Sequence, residues 1–549
     1  MGLDLYRPNR LSGNIVDVVA GRIYPGTLEL EEGKITRIVA SDTPFENYLM
    51  PGFIDAHVHI ESSMLAPSEF ARLAVIHGTV ATVSDPHEIA NVLGAAGVRY
   101  MIAQGERTPF KFCFGAPSCV PATAFETAGA AIDADDIEGL LVDARVRYLS
   151  EVMNVPGVVQ SDPALLAKLA VARRLRKSLD GHAPGVRGDL LRRYAQAGIS
   201  TDHECFTLEE AQEKLALGMK VLIREGSAAK NFEVLHPLLH EHAARMMFCT
   251  DDMHPDDLLK GHIDRLVKRG LERGVDMMKL LRVACRNPVA HYGLNVGLLQ
   301  AGDPADLLVV DHPESLTVLE TYLDGQRVAE RGKTLIGRSK VDIVNRFEAG
   351  PKEVADFAVK AKGGKLRVIE ALDGQLITRE LVASPKLEGG RAVSDTARDI
   401  LKLAVVNRYE DAPPALAFVK NFGLKRGAIA SSVAHDSHNV IAVGVKDEDL
   451  ARAVNLVMGA RGGLSLADGT KETLLPLPVA GLMSDGDAFE VAEHYATLDR
   501  EAKALGSMLR APYMTLSFMA LLVIPALKLS DKGLFDGERF CFTDLFTAV

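Results

Sequence analysis

The 549-residue chain has no CxxC pair, no excess of basic residues, no uninterrupted apolar run long enough to cross a bilayer, and no internal repeat, low-complexity tract or coiled-coil heptad. Each absence removes a class of function. Six cysteines (Cys113, Cys119, Cys205, Cys249, Cys285 and Cys541) are scattered, which suits reduced thiols in the cytoplasm better than a disulfide framework. With 62 Lys and Arg against 73 Asp and Glu, the net charge of −11 argues against a nucleic-acid partner. The start, MGLDLYRPNRLSGN, has neither an apolar signal core nor the Ser or Thr at position six of a myristoylation motif, so secretion and lipid anchoring are disfavoured. The most apolar stretch, MTLSFMALLVIPALKL at 514–529, contains Pro525 and runs into the polar turn SDKG. It reads as a buried core segment, and no membrane partner is expected.

Hydrophobic residues make up 47 % of the chain, enough for large cores, and the length implies two to four folding units. Residues 12–48 are short apolar runs broken by Gly, Asp and Asn, and the same texture returns at 296–337. Residues 1–50 and 292–345 are therefore expected to build one small β-sandwich from both flanks of a long insertion. Within 51–291, strand-like runs alternate with amphipathic helix-length runs, the signature of βα units and a parallel sheet. Eight runs can be counted: GFIDAHV, VATVS, KFCFG, YLSEVM, a short one ending at Gly181, ISTDH, KVLI and RMMFCT. That is the size of a distorted TIM-type (β/α)8 barrel. A connector is expected over 346–365 and an additional C-terminal α+β domain over 366–549, which makes the whole an α/β protein.

His57 and His59 end the first run in PGFIDAHVH. Residues i and i+2 of a strand project to one side, and neutral imidazole is the commonest side-chain ligand of zinc, iron and related ions. Further candidates fall at the C-terminal ends of later runs, where barrel enzymes build their sites. They are Asp85, His87 and Glu88 in SDPHEIAN, Glu151 in SEVMN, His182 in DGHAPG, His203 in STDHE, and Asp251 and Asp252 in CTDDMHPDD. His57, His59, Glu151, His182, His203 and Asp251 suffice to hold two divalent cations, which about 3.5 to 4 Å apart make hydroxide available near neutral pH. Taken singly, a strand-end His is more often a core or capping residue and Asp-Asp a helix N-cap. Their joint occurrence on five of the eight strand ends favours a metal site.

These motifs, with a closing GDPADLLVVD, resemble the amidohydrolase superfamily of metal-dependent hydrolases over residues 1 to about 340. Many dinuclear members carry a carboxylated lysine on strand four; SEVMN has none, and Glu151 is the carboxylate available there. That departure weakens a hydantoinase reading. At finer grain HIESSM, SDPHEIANVLG, PSCVPAT, EVMN, GHAPG, TDHE, REGSAAKN, CTDDMHPDDLLKGHID and AHDSHNVIAVG resemble the bacterial adenine deaminase family, in order and over nearly the whole chain. The resemblance implies a small-molecule substrate, adenine, hydrolysed to hypoxanthine and ammonia in purine salvage, with manganese or iron(II), or else zinc, as the metals.

Adenine C6 is a poor electrophile. The reaction needs a strong nucleophile, a proton at ring nitrogen N1 and a proton for departing ammonia. Asp251 is the candidate to ligate one metal and shuttle the water's proton, with Glu88 and His87 on the N1 side. Asp85 and Asp252 are candidates to hydrogen-bond the base or to orient ligands. Arg224, Glu225 and Ser227 in REGSAAKN are expected to line the pocket, with an Arg224–Glu225 ion pair as the structural alternative. His435, Asp436, His438 and Asn439 form a polar cluster in the appended domain that suits a lid, an extra metal or a buried network. A base deaminase of the H-x-E and P-C-x-x-C type is excluded, since no PCxxC occurs. Two alternatives stand beside adenine: a related hydrolase of another aminopurine or a cyclic amide, and an assembly protein that has lost its metals. A homodimer is the default oligomer.

Overall fold

A computed structural model describes residues 6–547. The first five residues of the segment on which the secretion and lipid-anchor expectations rest lie outside the described residues, as do Ala548 and Val549 of the carboxy-terminal domain.

All eight expected strands form, and all run parallel. They are β1 (Phe53–Val58), β2 (Thr79–Ser84), β3 (Lys111–Pro117), β4 (Val146–Val152), β5 (Ser178–Gly181), β6 (Thr201–Asp202), β7 (Lys220–Arg224) and β8 (Met246–Cys249). β1 and β2 are buried at every residue, as expected of a parallel sheet covered by helices on one side and filled by side chains on the other. The barrel is distorted because its hydrogen bonding divides into a five-stranded piece, β1 to β5, and a three-stranded piece, β6 to β8. Single bridges join the pieces, Leu179 to Ile199 and Val58 to Asp251. At the first seam, a Cβ on Gly181 would lie 2.4 Å from the Thr201 carbonyl oxygen, so only glycine lets β5 approach β6 there. At the second, Asp251 N donates to His57 O and His59 N donates to Asp251 O, at 2.9 and 3.1 Å. The seam that closes the barrel therefore runs through three candidate ligands.

The two flanking segments join in one mixed eight-stranded sheet, from Lys333–Thr334 at one edge to Lys34–Ala40 at the other. The expected sandwich is corrected to this extent: continuous hydrogen bonding makes it a single sheet folded over its own core of Ile15, Leu28, Leu49, Leu307 and Tyr322. The expected connector is no free linker. Phe347 and Phe357 are buried in the core of the following domain, and Glu348 N donates to Arg408 O. That domain is β-rich, an eight-stranded, almost wholly antiparallel sheet with helices Asp447–Ala460 and Ala488–Ala504. The apolar 514–529 stretch is divided between helix Pro512–Phe518, turns and strand Leu527–Ser530, with the helix and strand buried and Pro525 of the turn exposed. No helix among the described residues is long and apolar enough to cross a membrane.

Candidate metal centre

Each barrel strand delivers its polar residues where its apolar run ends, so side chains distant in sequence share one rim. Glu151 is the hub. Its Oε1 lies 2.6 Å from His57 Nε2, 3.1 Å from His59 Nε2 and 3.6 Å from His203 Nε2, while its Oε2 lies 3.4 Å from His182 Nδ1. Asp251 closes the ring, with Oδ1 3.0 Å from His59 Nε2 and Oδ2 3.9 Å from His203 Nε2. Glu151 and Asp251 have φ of +21° and +57°, a left-handed backbone that costs a non-glycine residue about 1 to 3 kcal/mol. Barrel closure holds both carboxylates in that geometry.

The donor set fits divalent cations. Glu151 Oε1, His203 Nε2 and both ring nitrogens of His182 are buried without a hydrogen-bond partner, which leaves them free to ligate. His59 donates Nδ1–H to the Asp85 carbonyl at 3.0 Å, a bond that fixes the tautomer and turns the Nε2 lone pair inward. Burial pushes the Glu151 carboxyl up, but His57 and His59 outweigh it and hold the group well below the usual carboxylate range. Burial and the neighbouring His57 push His203 well below the usual imidazole range, so it is neutral, the form that binds metal.

His87 and Glu88 open the helix His87–Leu93 and form another wall of the same cavity. Asp85 orients that wall rather than lining the cavity: its Oδ2 lies 3.0 Å from His87 Nδ1 and its Oδ1 accepts from Ser150 at 2.6 Å. Asp252 faces the cavity with one oxygen committed to Ser62 at 2.5 Å. Burial raises the Glu88 carboxyl, but His435, His87 and His438 together hold it well below the usual carboxylate range.

Arg224 lines the cavity as expected, with its guanidinium committed to Glu204 and to Asp251 Oδ2, the latter at 2.5 Å. The alternative pair with Glu225 does not form, because Glu225 binds Arg269 at 2.5 Å. Ser227 lies outside the cavity; its hydroxyl donates to Asp257 at 2.8 Å and accepts from His254 N at 2.9 Å, anchoring the turn before helix Pro255–Lys260. Sequence reasoning missed Glu204. It directly follows His203, and in a strand the two would face opposite ways, but β6 ends at Asp202 and both turn to the rim. Asp55 also acts without touching the cavity, bonding His262 Nε2 at 2.9 Å and Thr250 N at 3.1 Å, which ties β1 to the end of β8.

The cavity is narrow, about 30 Å³ in volume. Its floor is the polar rim; its roof is apolar and comes from the carboxy-terminal domain, as Leu376, Phe518, Leu521 and Val523. Lys528, fully buried, donates to the carbonyls of Leu376 and Phe518 at 2.6 and 2.8 Å and so ties two pieces of the roof together.

Residues 48–328 match the amidohydrolase family and residues 375–541 match the adenine deaminase C-terminal domain. A curated adenine deaminase of Salinibacter ruber is 58 % identical over 539 residues, covering 98 % of each chain. One of a Sulfurovum species is 56 % identical over 97 % of this chain and 99 % of its own. One of Methanosarcina mazei is 52 % identical, with the same two shares.

Proposed function

This chain belongs to the amidohydrolase family, within its adenine deaminases, and we propose that the cavity hydrolyses adenine to hypoxanthine and ammonia at a pair of divalent cations. The reading is carried by the convergence of His57, His59, Glu151, His182, His203 and Asp251 on one buried rim beneath an apolar roof. These six residues would hold the pair. Manganese(II) and iron(II) are the first choices, and zinc(II) suits the same donors. Bound there, two cations would acidify a shared water and so supply the nucleophile near neutral pH.

The remaining work falls to the chain's own groups. Asp251 takes one proton of the attacking water at its carboxylate and returns it to the departing amino group, while the other proton ends on ring nitrogen N1, as the C6–O bond forms and the C6–N bond breaks. Arg224 keeps that carboxylate ionised and aimed, and Glu204 neutralises the guanidinium in turn. The wall of His87 and Glu88 meets the ring-nitrogen side, with Asp85 fixing the His87 ring. Phe518 and the leucine and valine side chains of the roof offer an apolar lid to a flat heterocycle and exclude water from the reacting face. The free state of all six cysteines agrees with a cytoplasmic setting.

Ammonia release by manganese-loaded protein, measured on adenine, adenosine, other aminopurines and a cyclic imide, tests the proposal. Adenine is expected to be the substrate turned over; no release from adenine beside efficient cleavage of the imide would overturn the reading.

A further inference from the structure

A second set of ligand atoms converges where the barrel meets the carboxy-terminal domain. His87 and Glu88 come from the barrel; His435 and Asp436 come from the turn after strand Ala428–Ser431. Glu88 Oε1 lies 2.6 Å from His435 Nδ1 and 3.3 Å from His87 Nε2. Asp436 Oδ1 lies 3.9 Å from each of those nitrogens. His438 holds the other Glu88 oxygen by a hydrogen bond from Nε2. Every one of these residues is buried.

Glu88 Oε1 nevertheless makes no hydrogen bond, and Asp436 Oδ2 and His435 Nε2 make none either. Glu151 Oε1, the hub of the barrel site, has the same signature, 2.6 Å from His57 Nε2 and unpartnered. Ligands about 2.1 Å from a common cation stand about 3 Å from one another, and the spacings of 2.6 to 3.9 Å here bracket that value. Two overlapping triads share Glu88: one with His87 and Asp436, the other with Asp252 and His435. An isolated buried carboxylate cluster would be costly; a cation at its centre removes the cost.

We propose that Glu88, His87, His435 and Asp436 form a third divalent-cation site at the domain junction, taking two ligands from each domain. The inference goes beyond the proposed function, which needs only the barrel pair, and it gives the wall facing the ring nitrogens a positive charge of its own. The mixed nitrogen and oxygen donors accept manganese(II), iron(II) or zinc(II).

Metal counting tests it. Protein grown with manganese, desalted and analysed by mass spectrometry, is expected to carry three equivalents per chain, falling to two in His435→Gln and in Asp436→Asn. Two or fewer in the wild type, unchanged in both variants, would overturn the inference. Anomalous diffraction at the manganese edge on wild-type crystals keeps the test open if the variants fold poorly. A peak bounded by Glu88 and His435 supports the site, and its absence beside peaks at Glu151 overturns it. Adenine turnover is read separately, so a chain with two metals that still releases ammonia sinks this inference alone.

Discussion

His435 Nδ1 of the carboxy-terminal domain lies 2.6 Å from Glu88 Oε1 of the barrel, and His438 bonds the second oxygen of the same carboxylate. A wall of the barrel cavity is thus finished by residues some 350 positions downstream. His438→Ala is expected to lower kcat/KM for adenine by about 10- to 100-fold, the usual cost of losing a group that orients an active-site residue. His438→Gln, which keeps a donor, should recover part of the loss. Steady-state kinetics of the two variants check this; equal losses in both would count against an orienting bond.

Glu151→Gln removes the charge at the hub of the barrel site, and Asp251→Asn removes the group assigned to proton transfer. Each is expected to cut turnover by about 10²- to 10⁴-fold. Glu151→Gln should also lose bound metal. Full activity in both would refute the assignment of the centre.

Chelation should abolish ammonia release, and added manganese should restore it. The stripped protein should also melt lower, since a ligand held at 100 times its Kd stabilises the folded state by about 2.7 kcal/mol. Differential scanning calorimetry with and without chelator reads the shift.

Arg224 is fully enclosed between Glu204 and Asp251. Arg224→Met leaves two buried carboxylates without their cation, and breaking a buried pair in this way costs about 3 to 5 kcal/mol. A urea midpoint unchanged from wild type would contradict the arrangement.

Lys528 has a pH signature. Burial pushes its pKa from the ordinary 10.5 down to about 7. Between those values the unfolded chain binds more protons than the folded one, so stability rises with pH. From pH 7 to 9 the wild type should gain about 2 kcal/mol relative to Lys528→Met, at about 1.4 kcal/mol per unit. Denaturation at the two pH values measures the difference; a constant gap would mean that the ammonium keeps its proton throughout.

Much of this was legible locally. The eight apolar runs mark the eight strands because a strand covered on both faces must be apolar along its length, and even the short run ending at Gly181 is a strand. His57 and His59 announce themselves by the two-residue period of a strand end. Ser227 was misread because a polar residue after a strand looks the same in sequence whether it faces a cavity or anchors a turn. Glu204 was missed because the strand stops two residues before it, and no pattern marks where a two-residue strand ends.

By itself the sequence determined the kinds of donor and their places at strand ends, because strand periodicity and burial act over a few residues, and its motifs carried the family resemblance. Tertiary structure alone decided that Arg224 serves Asp251 and Glu204, and that the appended domain roofs the cavity. Those outcomes depend on barrel closure and domain docking, which set distances between residues hundreds of positions apart.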